Sequence, residues 1–184
     1  MSQPTILVLA SGQGARFIAS GGTGSKLRAL LGGKPVLERT LDAVRASGLA
    51  WHLEDAGHDG MGDSIAAGVK ATSDASGWLI LPGDLPLIQP RTLQAVAAAL
   101  SHYGAVIPHY RGQRGHPVGF AASCREALLM LKGPQGAAAV LRSQEAINAA
   151  GRLDEDDDPG IVTDIDTVQD LRNAEALLAA RQTP

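Results

Sequence analysis

A glycine-rich stretch with two basic residues follows the first apolar run of the chain. The run TILVLA covers residues 5–10, and the stretch LASGQGARFIASGGTGSK covers residues 9–26. Glycines leave backbone N–H groups free of side-chain bulk, so a loop of this kind can form a concavity that binds anions. Arg16 and Lys26 add full positive charges that suit phosphate oxygens. The stretch therefore predicts a phosphate-binding loop, and the alternative is a surface loop with incidental basic residues.

Two better-known phosphate loops do not match this stretch. A Walker A loop requires Gly-Lys-Ser/Thr, whereas here Ser25 separates Gly24 from Lys26 and Leu27 follows. A dinucleotide-binding fingerprint requires glycine at position 17, where this chain has Phe17.

A single aspartate follows another apolar run, in LILPGDLPLI at residues 79–88. Prolines on both sides of Asp84 favour a turn at the end of a buried strand. Carboxylates in such places commonly hold Mg²⁺, which takes few protein oxygens and shares the rest with phosphate and water. The sequence predicts that Asp84 is a metal ligand, and the alternative is a turn-forming aspartate.

Two further carboxylates occur in TDIDT at residues 163–167. In an extended segment Asp164 and Asp166 point the same way, so both could serve as metal ligands. The competing interpretation is helix capping, because Thr167 and Asp170 resemble a capping box.

A Gly/Pro-shaped turn, RGQRGHPVGF at residues 111–120, carries Arg114 and His116. These side chains could contact the phosphate or ring of an acceptor substrate, although a lone histidine is more often structural. The segment GMGDS at residues 60–64 precedes a predicted helix and could cap it or present N–H groups to a ligand.

These residues need elements to position them, and the chain alternates apolar runs with segments of helical periodicity. The strands are predicted at 5–10, 77–83 and 104–110, with weaker candidates at 118–122 and 160–166. The helices are predicted at 35–48, 64–75, 90–103, 124–132 and 167–182. Only one short strand, at 50–54, fits between Gly48 and the GMGDS segment. Alternation of this kind predicts a largely parallel sheet with helices on both faces, and ligands at the carboxyl ends of its strands.

The composition limits the class of protein. The 184 residues, of which 45% are hydrophobic, suit a single domain spanning 1–184. A net charge of −3 does not favour nucleic acid or an anionic membrane as partner. The lone Cys124 cannot form an internal disulfide, and the sequence has no leader-like or spanning segment, so we expect a cytoplasmic protein.

The ordered motifs resemble the MobA-like nucleotidyltransferase superfamily, and most closely its molybdenum cofactor cytidylyltransferase branch. The resemblance rests on LASGQGAR with KLRALLGGKPVL, and then on GMGDSIAAGV, LPGDLPLI, YRGQRGHPVGF, GPQGAAAVL and DIDTVQDL in the same order. It implies a Rossmann-like α/β/α fold with three layers and a mostly parallel sheet.

The resemblance also implies an activity and site residues. The activity would be transfer of CMP from CTP to the phosphate of molybdopterin cofactor, with Mg²⁺ as cofactor and release of pyrophosphate. Arg16, Lys26 and Asp84 would be catalytic, with Asp84 and Asp164 or Asp166 at the metal and Arg114 and His116 at the acceptor. The nucleotide would contact Leu9, Ala10, Ser11, Gly12, Gly14, Arg16, Lys26, Gly62 and Ser64. A molybdoenzyme or its chaperone would be the protein partner.

The chain departs from the family pattern in two places. Arg16 and Lys26 are ten residues apart, about twice the usual separation, and one strand–helix unit before GMGDS is missing or shortened. Two alternative functions therefore stay open. One is a MobA-like transferase that uses GTP, ATP or another phosphorylated acceptor, and the other is a non-catalytic protein that binds or inserts the molybdenum cofactor.

Overall fold

The strands of the structure include all three apolar runs that the sequence predicts to be buried. The computed structural model describes residues 3–12 and 14–182. The strands are β1 (Thr5–Leu9), β2 (Leu30–Leu31), β3 (Lys34–Pro35), β4 (Ala50–Glu54), β5 (Gly77–Pro82), β6 (Ala105–Tyr110), β7 (Gln113–Arg114), β8 (Val118–Ala121) and β9 (Ala150–Asp154). The helices are α1 (Ala15–Ala19), α2 (Val36–Ala46), α3 (Met61–Ala71), α4 (Pro90–Ala99), α5 (Arg125–Leu129), α6 (Ala138–Ala146) and α7 (Val168–Gln182).

The main sheet is mixed and mostly parallel. Its strand order is β4-β1-β5-β8-β6-β7, and β9 pairs with β6. Strand β1 runs parallel to both β4 and β5, and β6 runs parallel to β9. Strand β8 lies antiparallel between β5 and β6, and β7 forms a short antiparallel pair with the end of β6. The carboxyl ends of β4, β1, β5, β6 and β9 therefore meet at one edge.

Helices cover both faces of this sheet, which gives the three layers of a Rossmann-like fold. Side chains alternate along β1, so Ile6 and Val8 pack with α2 and α4 while Leu7 packs with α3, α5 and α6. Each of these fully buried aliphatic side chains contributes roughly 1.5–3 kcal/mol relative to exposure. The predicted α/β/α architecture is confirmed.

A smaller apolar cluster joins α7 to the β2–β3 hairpin. Its buried members are Phe17, Leu31, Val36, Leu87, Ile165 and Ala174. Ile165 also donates its backbone N–H to Asp84 O at 3.0 Å. This packing brings the segment before α7 beside the exit of β5, although the two are far apart in sequence.

The prediction of a strand at 160–166 was wrong. A 3₁₀ turn at Pro159–Val162 occupies this region, because Pro159 starts the turn and Asp158 accepts a hydrogen bond from Gly160 N at 3.0 Å. The strand that runs parallel to β6 is instead β9, whose sequence AGRLD contains none of the β-branched residues that favour a strand. Helix α6 was not predicted from the sequence, because glycine and proline precede it and its apolar face is short.

The region between α2 and α3 agrees with the sequence. A single strand, β4, lies there at the edge of the sheet, and the described chain has no helix between Ala46 and Met61. Helix α3 begins at Met61, three residues before the predicted start, so the GMGDS segment is part of its first turn. None of the described helices has the length and apolar character needed to cross a bilayer.

Candidate active site

Lys26 is held at the carboxyl edge of the sheet by a short turn. A 3₁₀ turn spans Lys26–Arg28, and Ser25 Oγ caps it by accepting a hydrogen bond from Leu27 N at 3.3 Å. Leu27 is buried and anchors this turn to the protein. The Lys26 side chain is only 13% exposed. The long glycine-rich loop therefore delivers its second basic residue to a defined position.

Asp84 lies directly after β5, where two strand ends approach each other closely. Gly83 donates its N–H to Leu9 O at 2.9 Å, and a Cβ on Gly83 would lie 2.9 Å from Leu37 Cδ1. Asp84 itself is only 8% exposed. Its Oδ2 accepts a hydrogen bond from Lys26 Nζ at 2.6 Å. Its Oδ1 is buried and has no hydrogen-bond partner among the described residues.

Asp166 completes a charged cluster with Lys26 and Arg16. Lys26 Nζ donates to Asp166 Oδ1 at 2.8 Å, and Arg16 Nη1 lies 2.8 Å from Asp166 Oδ2. Burial raises the pKa of Asp166, but the bond to Lys26 and the charges of Lys26 and Arg16 outweigh it and leave this pKa lowered. Burial likewise lowers the pKa of Lys26, and the two carboxylates outweigh that effect and raise it. The ammonium group thus bridges two carboxylates.

The segment before α7 caps the helix and also brings one of its two aspartates to the charged cluster. Asp170 N donates to Thr167 Oγ1 at 3.2 Å, and Thr167 N donates to Asp170 Oδ2 at 2.7 Å, so the predicted capping box is present. Asp166 faces the charged cluster at the same time. Asp164 is an exposed residue, and its pKa is raised by partial burial of the carboxyl group and by the charges of Asp166 and Asp84. Of the two aspartates, Asp166 makes the contacts with the basic residues.

A cavity of about 440 Å³ opens beside Lys26 and Asp84. Six of the predicted residues line it, namely Leu9, Ser11, Gly12, Lys26, Ser64 and Asp84. They come from the exits of β1 and β5, from the 3₁₀ turn at Lys26–Arg28 and from the first turn of α3. The carboxyl ends of neighbouring strands thus converge on one pocket, as expected for an open α/β sheet.

Four other residues predicted to bind nucleotide do not line this cavity, and one of them, Arg16, is paired with Asp166. Ala10 lines an adjacent open groove and donates its N–H to Glu54 O at 2.9 Å. Gly14 caps α1 at a positive φ of 64° and lies against the stem of Lys26. Gly62 donates its N–H to Gly133 O at 2.8 Å, so that amide is already committed. Gln13, inside the predicted loop, lies outside the described residues.

The two predicted acceptor-binding residues differ in their surroundings. Arg114, on β7, is exposed and its Nη2 donates to Glu145 Oε1 at 2.6 Å. His116 is half-buried, and its buried Nδ1 has no hydrogen-bond partner within residues 3–12 and 14–182. Burial lowers the pKa of His116, although the charge of Asp84 and a bond to the Ile80 backbone oppose this. His116 is therefore electrostatically linked to Asp84, whereas Arg114 is bound to α6.

Sequence reasoning missed several residues that line the cavity. These are Leu27, His58, Asp59, Pro82, Gly83 and Pro134, whereas Gly60 and Met61 belong to the GMGDS segment that the sequence indicates as a possible ligand contact. His58 and Asp59 could have been predicted from their position, because the GHDG segment at 57–60 follows β4 at the same carboxyl edge as the other strand exits. Pro134 belongs to the GPQGAAAVL motif, which the sequence linked to the site only through resemblance.

The arrangement suits a divalent cation with few protein ligands. Asp84 Oδ2 and Asp166 Oδ1 face one point, which Lys26 Nζ occupies, and the buried Asp84 Oδ1 offers a further free oxygen. The part of the chain that the structure describes contains no cluster of three or more His, Cys, Asp or Glu residues that could hold a metal. Hard cations such as Mg²⁺ accept one or two carboxylates and complete their shell with phosphate and water. The residues therefore fit Mg²⁺ accompanied by a polyphosphate.

Comparison with solved structures confirms the fold. A nucleotidyl transferase from Methanothermobacter thermautotroptrophicus superposes with a TM-score of 0.76 at 20% identity, covering 98% of this chain and 100% of that one. Rv0371c from Mycobacterium tuberculosis in complex with manganese gives 0.74 at 20% identity, covering 95% and 99%. Molybdopterin-guanine dinucleotide biosynthesis protein A from Archaeoglobus fulgidus gives 0.64 at 17% identity, covering 96% and 99%. No curated protein matches the chain significantly in sequence.

The fold and the cavity at its carboxyl edge indicate an α/β domain that binds its ligand at the ends of its parallel strands. The sequence profile of the MobA-like NTP transferase domain matches residues 43–147, which is more than half of the chain. The protein belongs to the MobA-like NTP transferase domain family. The matched region contains Asp84 and His116, whereas Lys26 and Asp166 lie on either side of it.

Proposed function

We propose that this protein transfers CMP from CTP to the phosphate of molybdopterin cofactor and releases pyrophosphate. The observation that carries the proposal is the bridge from Lys26 Nζ to Asp84 Oδ2 and Asp166 Oδ1 at the wall of the cavity. Cationic and carboxylate groups at one place suit a polyphosphate with its metal ion. Motifs that resemble the cytidylyltransferase branch, such as RGHPV at 114–118 and DIDT at 164–167, support the choice of substrate.

The reaction needs positioning and charge stabilisation more than covalent chemistry by the protein. A phosphate oxygen of the acceptor forms a bond to the α-phosphorus of CTP. The bond from that phosphorus to the β-phosphate oxygen breaks, and pyrophosphate leaves with the electron pair. Lys26 and Arg16 would bind the triphosphate oxygens, and the backbone around Ser11 and Gly12 would approach them closely.

Asp84 and Asp166 would hold the metal ion, which we propose to be Mg²⁺. When bound, Mg²⁺ offsets negative charge on the phosphates and on the departing pyrophosphate. Manganese in the similar structure from Mycobacterium tuberculosis supports a divalent cation in this fold. Arg114 and His116 would contact the acceptor, and binding by Arg114 requires that it leave Glu145. We expect the protein to act in the cytoplasm, with a molybdoenzyme or its chaperone receiving the product.

A second candidate is the same reaction with GTP or ATP as donor. The likeness to the molybdopterin-guanine dinucleotide biosynthesis protein favours it, as does the single strand between α2 and α3 near the expected nucleoside site. The two candidates share Lys26, Asp84 and Asp166 and differ only in the base.

Turnover with each donor nucleotide tests both candidates. The purified protein is incubated with Mg²⁺, molybdopterin cofactor and CTP, GTP or ATP, and pyrophosphate release is measured. Release with CTP alone is the expected result, and release with GTP or ATP instead would favour the second candidate. Absence of pyrophosphate with all three donors would overturn the proposal.

A further inference from the structure

A second cluster of titratable groups lies beside the cavity, around the buried carboxylate of Glu54 at the end of β4. Glu54 Oε1 pairs with His58 Nε2 at 2.9 Å and accepts Ala56 N at 3.3 Å. Glu54 Oε2 pairs with His52 Nε2 at 3.3 Å. One carboxylate thus holds two histidines and a loop amide. None of the proposed catalytic residues belongs to this cluster.

Glu54 also binds the start of the glycine-rich loop through its backbone oxygen. Its backbone oxygen accepts Ala10 N at 2.9 Å and Ser11 Oγ at 3.3 Å, which are the first residues after β1. The side chain organises the loop between β4 and α3, and the backbone organises the glycine-rich loop. A single residue therefore sets the spacing between His58 and Ser11, both of which line the cavity.

The pairing with Glu54 determines what His58 presents to the cavity. Burial raises the pKa of Glu54, but the bonds from His58, His52 and Ala56 outweigh it and lower this pKa, so the carboxylate is ionised at neutral pH. An ionised carboxylate only accepts hydrogen bonds, so His58 Nε2 must carry a proton. In the neutral ring Nδ1 is then an acceptor. Within the described chain, His58 Nδ1 has no hydrogen-bond partner, because the ring contacts Glu54 through Nε2.

The position of His58 relates it to the nucleoside rather than to the phosphates. Asp84, which pairs with Lys26, follows β5, and β1 separates β5 from β4 in the sheet. The loop after β4 carries the cavity-lining residues His58, Asp59 and Gly60. A triphosphate bound by Lys26 would therefore direct its nucleoside toward that loop. The loop offers one ring nitrogen in a fixed orientation.

We infer that His58 Nδ1 accepts a hydrogen bond from the exocyclic amino group of the nucleobase, with Glu54 as the residue that positions the ring. This inference rests on the proposed function and names a specificity-determining residue for it. Cytosine carries such an amino group and uracil carries a carbonyl oxygen in its place. Two acceptors would then face each other, and a buried acceptor without a donor weakens binding. The same contact would favour guanosine over inosine nucleotides if the donor is GTP.

Matched nucleotide pairs test this contact. Dissociation constants are measured by calorimetry in Mg²⁺ for CTP against UTP and for GTP against inosine triphosphate, together with inorganic tripolyphosphate. The wild-type protein should prefer the amino-bearing member of its own pair by about tenfold, as expected for one hydrogen bond and its unpaired counterpart. His58→Ala should reduce this ratio to near one and leave tripolyphosphate affinity unchanged. Glu54→Gln should lower the ratio as well, because an amide can donate or accept and no longer sets the tautomer.

His52→Ala is the matched control, because His52 contacts the same carboxylate but does not line the cavity. It should keep the wild-type ratio, and thermal melting checks that each variant folds. The inference would be overturned by a ratio that survives in His58→Ala, or by an equal loss in His52→Ala. If the wild-type protein bound tripolyphosphate but showed no preference within either pair, only this inference would fail. Failure to bind any nucleotide or tripolyphosphate would overturn the proposed function as well.

Discussion

Lys26 Nζ lies 2.6 Å from Asp84 Oδ2, although the two residues are 58 positions apart in the chain. The same ammonium group lies 2.8 Å from Asp166 Oδ1. A positive charge therefore occupies the point at which the two carboxylates would share a metal ion. The first two predictions concern this relationship.

Replacing Asp84 by Asn should lower metal-dependent turnover by about a hundredfold or more, while the protein still folds. The substitution removes the charge but little volume, and the amide oxygen can still accept from Lys26. Pyrophosphate release and thermal melting measure the two effects. Asp74→Asn, at an exposed position between α3 and β5, is the control and should leave turnover unchanged. Normal Mg²⁺-dependent activity in Asp84→Asn would show that Asp84 is not a metal ligand.

Replacing Lys26 by Met should weaken tripolyphosphate binding by about tenfold, as expected for the loss of one charged hydrogen bond, and strengthen Mn²⁺ binding in the absence of nucleotide. The methionine retains the apolar stem but leaves Asp84 and Asp166 without the shared ammonium group. Calorimetry measures the first effect and electron paramagnetic resonance of Mn²⁺ the second. Lys70→Met, at an exposed position on α3, should change neither. Unchanged values for both ligands in Lys26→Met would contradict the assignment.

Gly60→Ala should lower the stability of the protein, whereas Gly12→Ala should leave stability unchanged and weaken nucleotide binding. A Cβ on Gly60 would lie 2.3 Å from the backbone carbon of Gly133, and this overlap should lower the free energy of unfolding by about 1–3 kcal/mol. No described heavy atom lies within 4 Å of the position that a Cβ on Gly12 would take. The free energy of unfolding of Gly12→Ala should therefore equal that of the wild type. Gly12 lines the cavity, and the added methyl should weaken nucleotide binding. Urea unfolding and calorimetry separate the two effects, and equal destabilisation of both variants would contradict this prediction.

Asp158→Ala should lower the free energy of unfolding by about 2–4 kcal/mol, because it leaves several buried donors without partners. Asp158 is completely buried. Its carboxylate accepts from Gln89 N at 3.0 Å, Thr92 Oγ1 at 2.7 Å, Gly160 N at 3.0 Å and Arg181 Nη2 at 3.5 Å. Asp157→Ala is the neighbouring control, since its side chain is 87% exposed. A similar loss in both variants, measured by urea unfolding, would argue against this network.

Glu54→Gln should lower the free energy of unfolding at neutral pH, and this difference from the wild type should disappear in acid. The folded-state pKa of Glu54 lies below its ordinary value of 4.5. Its ionised form therefore contributes stability above about pH 4.5, and this contribution is lost as the pH falls through the folded-state pKa. Urea unfolding of the wild type and the variant at several pH values measures the difference. Glu126→Gln, with an exposed side chain, provides the reference, and a difference that stays constant into acid would contradict the prediction.

The sequence by itself determined the central strands and the residues at their ends. The runs TILVLA and GWLILPG are apolar throughout, so each indicates a buried strand without knowledge of its neighbours. Parallel strands end at one edge, and this rule alone predicts that Asp84 lies beside the glycine-rich loop. The capping box of Thr167 and Asp170 was also readable, since its residues are close together in the chain.

Only the tertiary structure shows that Asp166, and not Asp164, contacts Lys26 and Arg16, and where Lys26 lies. Both aspartates belong to one extended segment, and burial of Ile165 between them, with its N–H bonded to Asp84 O, orients that segment. Lys26 follows a loop longer than the family pattern, and its position depends on the burial of Leu27. Strand β9 could not be predicted either, because its local sequence carries no periodic signal. These features arise from contacts between distant segments, which no window of sequence contains.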